Sequence, residues 1–190
     1  MTHEPAARLL QPSQCALLVI DLQERLMPAI FEAERVLKNA TLLLKLAGVL
    51  DLPVLLTTQY AQGLGPTLAA ITREAPGVTP VDKLEFGGFG SEAFCRRLGE
   101  LPAGRRTLLV AGIESHICVT QTVLGARSQG LNAHVAADAV SSRTAFNWEI
   151  GIERMRAAGA VISSTEMIIY ELLGRSGGDA FKRMLPFLKP

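Results

Sequence analysis

Residues 107–113 read Thr-Leu-Leu-Val-Ala-Gly-Ile, and residues 16–21 read Ala-Leu-Leu-Val-Ile-Asp. Each is a short, nearly unbroken apolar run. Both are too short for a helix of ordinary length and lack the polar alternation of a half-exposed strand. Such runs are strands buried on both faces, the pattern of a parallel sheet covered by helices. Helical spacing follows the 16–21 run: Val36, Ala40, Leu43, Ala47 and Leu50 share one stripe over residues 34–50. Pro53 opens a second strand at 54–58, and 60–66 is a loop broken by Gly63, Gly65 and Pro66. A third strand falls at 80–82, and Ser91 caps a helix reaching Leu98. Beyond residue 113, helical spacing resumes near Ile117 and stops at Gly130. Strands at 133–137 and 160–163 flank a helix over 145–158. Ser163 and Glu166 have capping-box spacing before a helix at 167–173, and an amphipathic piece over 179–188 is broken by Pro186. This alternation predicts an α/β fold: a single doubly wound, mainly parallel sheet with helices on both faces, three layers in all. Residues 1–14 read as a tail and 15–190 as the domain.

Composition narrows the function. The chain has 190 residues, 48% hydrophobic and 19% charged, enough apolar surface to offset chain entropy. A formal net charge of +1 and 5% aromatic residues argue against a nucleic-acid partner, which needs a basic footprint and often stacking rings. The most apolar stretch, 42–56, is interrupted by Lys45, Asp51 and Pro53, so no membrane span is expected. The first 14 residues carry Glu4, Pro5 and Pro12 and lack the apolar core of a signal peptide. Cys15, Cys95 and Cys118 are odd in number and far apart, which points to a reducing cytoplasm rather than a disulfide framework. Three scattered histidines give no zinc spacing, and neither nucleotide-binding glycine motif is present, so no metal and no cofactor are expected.

Open parallel sheets bind ligands at the carboxyl ends of their strands, near the point where strand order reverses. Asp21 directly follows the first strand, Lys83 the third, and Cys118 lies five residues beyond residue 113 at the start of the next helix. Each has a plain alternative. Asp21 caps turns as well as it does chemistry. A lone lysine is usually solvated. A free cysteine is usually a small buried hydrophobe, and core or boundary roles are favoured for Cys15 and Cys95. Cys118 differs in its setting, because a helix N-terminus lowers a thiol pKa. The histidines offer it no obvious base. His3 is in the tail, His134 is inside a strand, and His116 is two residues away, off the same helix face. Asp21 is the better candidate.

Three ordered segments carry a family resemblance: Val19-Ile20-Asp21-Leu22-Gln23, the loop from Gln59-Tyr60 through Gly65-Pro66-Thr67, and Gly112-Ile113-Glu114-Ser115-His116-Ile117-Cys118-Val119. They resemble the isochorismatase-like cysteine hydrolase superfamily, and most closely its isochorismatase-domain-containing branch, over residues 15–173. The resemblance implies a catalytic Asp21–Lys83–Cys118 triad. It also implies a non-proline cis peptide between Ile113 and Glu114, with the N–H groups of Glu114 and Cys118 converging as an oxyanion hole. It implies a small-molecule substrate, cleaved at an amide or related C–N bond through a thioester, and a homo-oligomer, dimer or tetramer. Gln23, Tyr60, Phe86 and His116, from their loop positions, are expected to contact that substrate.

Departures from the family bear on chemistry. Nicotinamidase-type members place an Asp and histidines after the second strand to hold a metal, whereas this chain has Thr57-Thr58-Gln59-Tyr60. Close relatives commonly carry Glu where Thr58 stands. Isochorismate's vinyl ether is cleaved without a cysteine nucleophile, so Cys118 favours thiol chemistry. Two alternatives stand beside this reading: an isochorismatase-type ether hydrolase, and a non-catalytic flavodoxin-like module binding a metabolite or protein.

Overall fold

The computed structural model describes residues 8–189. The expectations for residues 1–7, including His3, lie outside them. Six strands form one sheet: β1 (Cys15–Ile20), β2 (Val54–Gln59), β3 (Val81–Lys83), β4 (Thr107–Ile113), β5 (Asn132–Ser141) and β6 (Val161–Ser163). Their spatial order is β3-β2-β1-β4-β5-β6, and every pairing is parallel. The chain winds outward one way from β1 to β3, then returns to lay β4 against the other side of β1. The reversal lies between β1 and β4, the crevice where doubly wound sheets bind ligands.

Among the described residues eight α-helices accompany the strands, the last two following β6: α1 (Ala33–Leu50), α2 (Ala61–Leu64), α3 (Ala69–Glu74), α4 (Glu92–Gly99), α5 (Thr120–Ser128), α6 (Ala145–Ala157), α7 (Thr165–Leu173) and α8 (Asp179–Leu188). Alternate residues of β1 feed opposite cores. Leu17 and Val19 pack beneath α1, α3, α7 and α8, with Val36, Ile71, Ile168 and Met184. Ala16, Leu18 and Ile20 pack toward α4, α5 and α6, with Phe94, Val123 and Met155. All six β1 residues are buried, which is why the run is apolar without alternation. Among the described residues, no helix is long and apolar enough to cross a membrane.

Several local expectations change. The stretch 60–66 contains the single helical turn α2 rather than pure loop. β5 continues to Ser141 because its pairing with β4 jumps: Val110 faces Val135, but Gly112 faces Val140. The extra residues bend the strand and carry Ser141 and Ser142 toward the sheet's carboxyl rim. The cap of α7 is Ser164, whose side chain accepts from the Met167 N–H, because Ser163 is taken up as the last residue of β6. α8 runs through Pro186, near its end. Cys95 is exposed, while its neighbour Phe94 fills the core. Leu10 is buried, and its N–H donates to Glu171 Oε2 at 3.1 Å.

At Gly112 two backbones come unusually close. Its φ is +118°, and a Cβ there would lie 2.0 Å from the carbonyl oxygen of Ile20. Only glycine lets β4 approach β1 this tightly at the rim.

Candidate active site

Four adjacent strands deliver one polar side chain each to the same rim, in spatial order. Lys83 is the last residue of β3, Gln59 the last of β2, and Asp21 immediately follows β1. Cys118 lies in a π-helical turn, Ser115–Val119, which links β4 to α5. Asp21 takes the left-handed conformation, φ +51°, which Asp tolerates better than most residues. Its N–H still bonds to the Thr57 carbonyl of β2, so the residue turns out of the sheet at the strand's end.

Lys83 Nζ donates to Asp21 Oδ2 at 2.7 Å, and both side chains are inaccessible to solvent. Thr57 Oγ1 donates to the other oxygen, Asp21 Oδ1, at 2.7 Å. Lys83 Nζ also donates to Gln59 Oε1 at 2.8 Å. The Cys118 sulfur lies 3.9 Å from that same Gln59 oxygen, and Asp21 is close enough for its charge to act on the thiol. The Ile113–Glu114 peptide bond is cis.

The electrostatics differ from expectation at one point. A helix N-terminus was expected to lower the Cys118 thiol pKa. Instead burial, and after it the adjacent Asp21 charge, push it up to about 12, against the opposing pull of Lys83 and the Glu114 N–H. Cys118 is buried and precedes α5. The resting thiol is therefore held in its protonated form, and any use of the sulfur as a nucleophile would need a proton acceptor. Asp21 stands beside it.

Other expected residues divide. Gln23 does not line an opening. It is fully buried, its Oε1 accepts from the Gln59 N–H at 2.7 Å, and its Nε2 donates to the carbonyls of Gln59 (3.1 Å) and Gly65 (2.7 Å). Its amide fixes the end of β2. Tyr60 and Phe86 are exposed at the rim beside Lys83, and the Tyr60 N–H donates to the Lys83 carbonyl. His116 is half-buried, with Nδ1 2.9 Å from Ser142 Oγ. The Glu114 carboxylate accepts from Arg143 Nε at 2.9 Å and from the Arg143 N–H at 3.1 Å. Thr58 Oγ1 donates to Asp82 Oδ1 at 2.9 Å. His134 is buried within β5, which pushes its imidazole pKa down. No group of three or more His, Cys, Asp or Glu side chains among the described residues is arranged to hold a metal.

Sequence reading overlooked Gln59. The available signal was positional: it ends β2, between the strands that carry Asp21 and Lys83.

Residues 15–167 match the family model described as the isochorismatase domain. The chain is 35% identical over 181 residues to the secreted isochorismatase effector Isc1 of Phytophthora sojae, covering 94% of this chain and 86% of that protein. It is 34% identical over 185 residues to isochorismatase domain-containing protein 2 of Homo sapiens, covering 97% and 88%. A solved structure described as MAR1 ribonuclease from Caenorhabditis elegans superposes with a TM-score of 0.87 at 30% identity, covering 95% and 92%.

Proposed function

The chain belongs to the isochorismatase family of hydrolases, and on that premise we propose that it cleaves a small-molecule amide or related C–N bond through a thioester on Cys118. The observation that carries this reading is the convergence of Asp21, Lys83 and Cys118 from three strand ends into one buried cluster, with a protonated thiol beside a carboxylate.

The residues then take these roles. Asp21 accepts the thiol proton as the sulfur attacks the substrate carbonyl. The tetrahedral oxyanion is held by the backbone N–H groups of Glu114 and Cys118, each such donor being worth about 3 kcal/mol of barrier. The C–N bond breaks, and Asp21 passes its proton to the leaving nitrogen. Water, losing a proton to Asp21, attacks the thioester. The C–S bond breaks, and the proton returns to sulfur. Lys83 holds Asp21 oriented and offsets the negative charge that passes between carboxylate and sulfur. Tyr60, Phe86 and His116 line the approach. No metal or cofactor enters this scheme.

A second reading, cleavage of a vinyl ether, is favoured by the relative named an isochorismatase effector. A ribonuclease reading comes from the structural neighbour's name; the +1 net charge and absence of a basic run disfavour it. The deciding experiment is a hydrolysis screen of small amides, isochorismate and single-stranded RNA, run with native protein and Cys118→Ala. Loss of amide turnover in the variant supports the thioester route. Vinyl ether turnover insensitive to the substitution overturns it in favour of the ether hydrolase. Binding with no turnover of any substrate favours the non-catalytic module.

The free thiols suit a reducing compartment, and we place the protein in the cytoplasm on that ground. Exposed Phe146 and Ile150, one turn apart on α6, support assembly into a homo-oligomer, dimer or tetramer.

A further inference from the structure

Lys83 and Asp21 do not stand on neighbouring strands. β2 lies between β1 and β3, so the lysine must reach across an intervening strand, about 10 Å from one backbone to the other. Gln59 is the residue of β2 directly paired with Lys83, and it stands beneath that span.

Its amide can be oriented only one way. Nε2 donates to the Leu84 carbonyl at 2.8 Å, and a carbonyl only accepts. Oε1 accepts from the Lys83 ammonium, which only donates. The backbone of Gln59 is pinned separately by Gln23, through both its N–H and its carbonyl. A fixed, neutral oxygen therefore sits between the ammonium and the Cys118 sulfur.

We propose that Gln59 is a positioning residue for the triad: its side-chain oxygen keeps the Lys83 ammonium beside Cys118 while the Asp21 carboxylate gains and loses the reaction's proton. This rests on the thioester reading above. Asp21 is the other acceptor of Lys83, and its pull on the ammonium collapses whenever it is protonated. Gln59 does not titrate, so it holds Nζ in place through that interval. Being uncharged, it leaves the ammonium's field available to the sulfur. A carboxylate at the same position would cancel that field and repel the thiolate.

The test follows alkylation of Cys118 by acrylamide across pH, read by peptide mass spectrometry, in a double-mutant cycle. Lys83→Gln keeps a donor toward Asp21 but removes the charge, and is expected to slow Cys118. Gln59→Met keeps the volume but removes the acceptor. It is expected to slow Cys118 by about tenfold alone and to have no further effect in the Lys83→Gln background, because coupled residues are non-additive. Equal losses in both backgrounds, or no loss, would overturn the proposal. Gln59→Glu retains an acceptor of the same reach, so it is informative even where Gln59→Met fails to fold. It is expected to move the pH profile upward by about one unit or more. An unmoved profile overturns the proposal. Should Lys83→Gln leave Cys118 unaffected, the triad reading falls and this inference with it. Should Lys83→Gln slow Cys118 while both Gln59 variants behave as native, only the inference on Gln59 falls.

Discussion

Asp21 has two opposed effects on Cys118. Its charge helps hold the thiol protonated, with a pKa pushed up to about 12, and in the proposed mechanism its carboxylate is the base that takes the proton. Asp21→Asn therefore separates two readouts. Alkylation of Cys118 by iodoacetamide at pH 8 is expected to speed up, because the repelling charge is gone and Lys83 remains. Turnover is expected to fall by roughly 10²–10⁴, the usual worth of a positioned base. A parallel fall in both readouts would contradict this assignment. The raised thiol pKa values also carry a stability term. Burial pushes Cys15 up to about 11, so native protein holds both thiol protons more tightly than the unfolded chain does. That stability is complete below pH 9 and is lost as pH climbs through 11 to 12. Asp21 and Cys118 stand out in the sequence because each carries chemistry and follows a strand, whereas Lys83, the last residue of β3, is set apart from the other lysines only by the family resemblance. Gln59 does not stand out, since a neutral amide at a strand end has no signature until its neighbours are known. The sequence likewise gives no sign of the bonds that bury Gln23 against Gln59 and Gly65.

At the scale of elements, the site depends on how closely β4 can lie against β1. Gly112 sets that distance. Gly112→Ala would drive a Cβ against the Ile20 backbone in a conformation that L-residues rarely adopt. A loss of about 3 kcal/mol or more is expected in urea unfolding. Because Asp21 follows Ile20 and the Cys118 turn follows β4, Cys118 reactivity is expected to change with it. An unchanged unfolding midpoint would show that the strands can part without cost. The long apolar strands β1 and β4 were readable from their runs alone. The full length of β5 was not: the irregularity between Val135 and Val140 interrupts the local pattern, and only the partner strand reveals that pairing resumes. The cap of α7 slipped by one residue for a similar reason. Ser163 and Ser164 are equivalent locally, and membership of β6 decides between them.

Across the whole molecule, the order β3-β2-β1-β4-β5-β6 places the reversal point where Asp21 and Cys118 meet. The alternation of runs and stripes predicted a doubly wound sheet, but a single chain does not announce which strands become neighbours. The outer surface bears on assembly. Phe146 is 69% exposed and Ile150 45% exposed on one face of α6, a poor surface to leave in water. Sedimentation is expected to show a mass at least twice the 20.4 kDa of the chain. Phe146→Asp combined with Ile150→Asp is expected to lower it without unfolding the core. A native protein that sediments as a monomer would remove the assembly proposal.

The buried Lys83–Asp21 pair has a consequence outside the protein. Opposite unit charges 2.7 Å apart look, from a distance, like a dipole rather than a charge, and Arg143 and Glu114 form a second such pair nearby. With a net charge of only +1 on the entire chain, a molecule diffusing toward this cleft feels almost no long-range pull. Capture then depends on collision and fit, and adding salt should leave the encounter rate nearly unchanged. The field of the cluster is confined to the last few ångströms, where under the proposed mechanism it would act on the bond to be broken and not on the traffic of solutes outside.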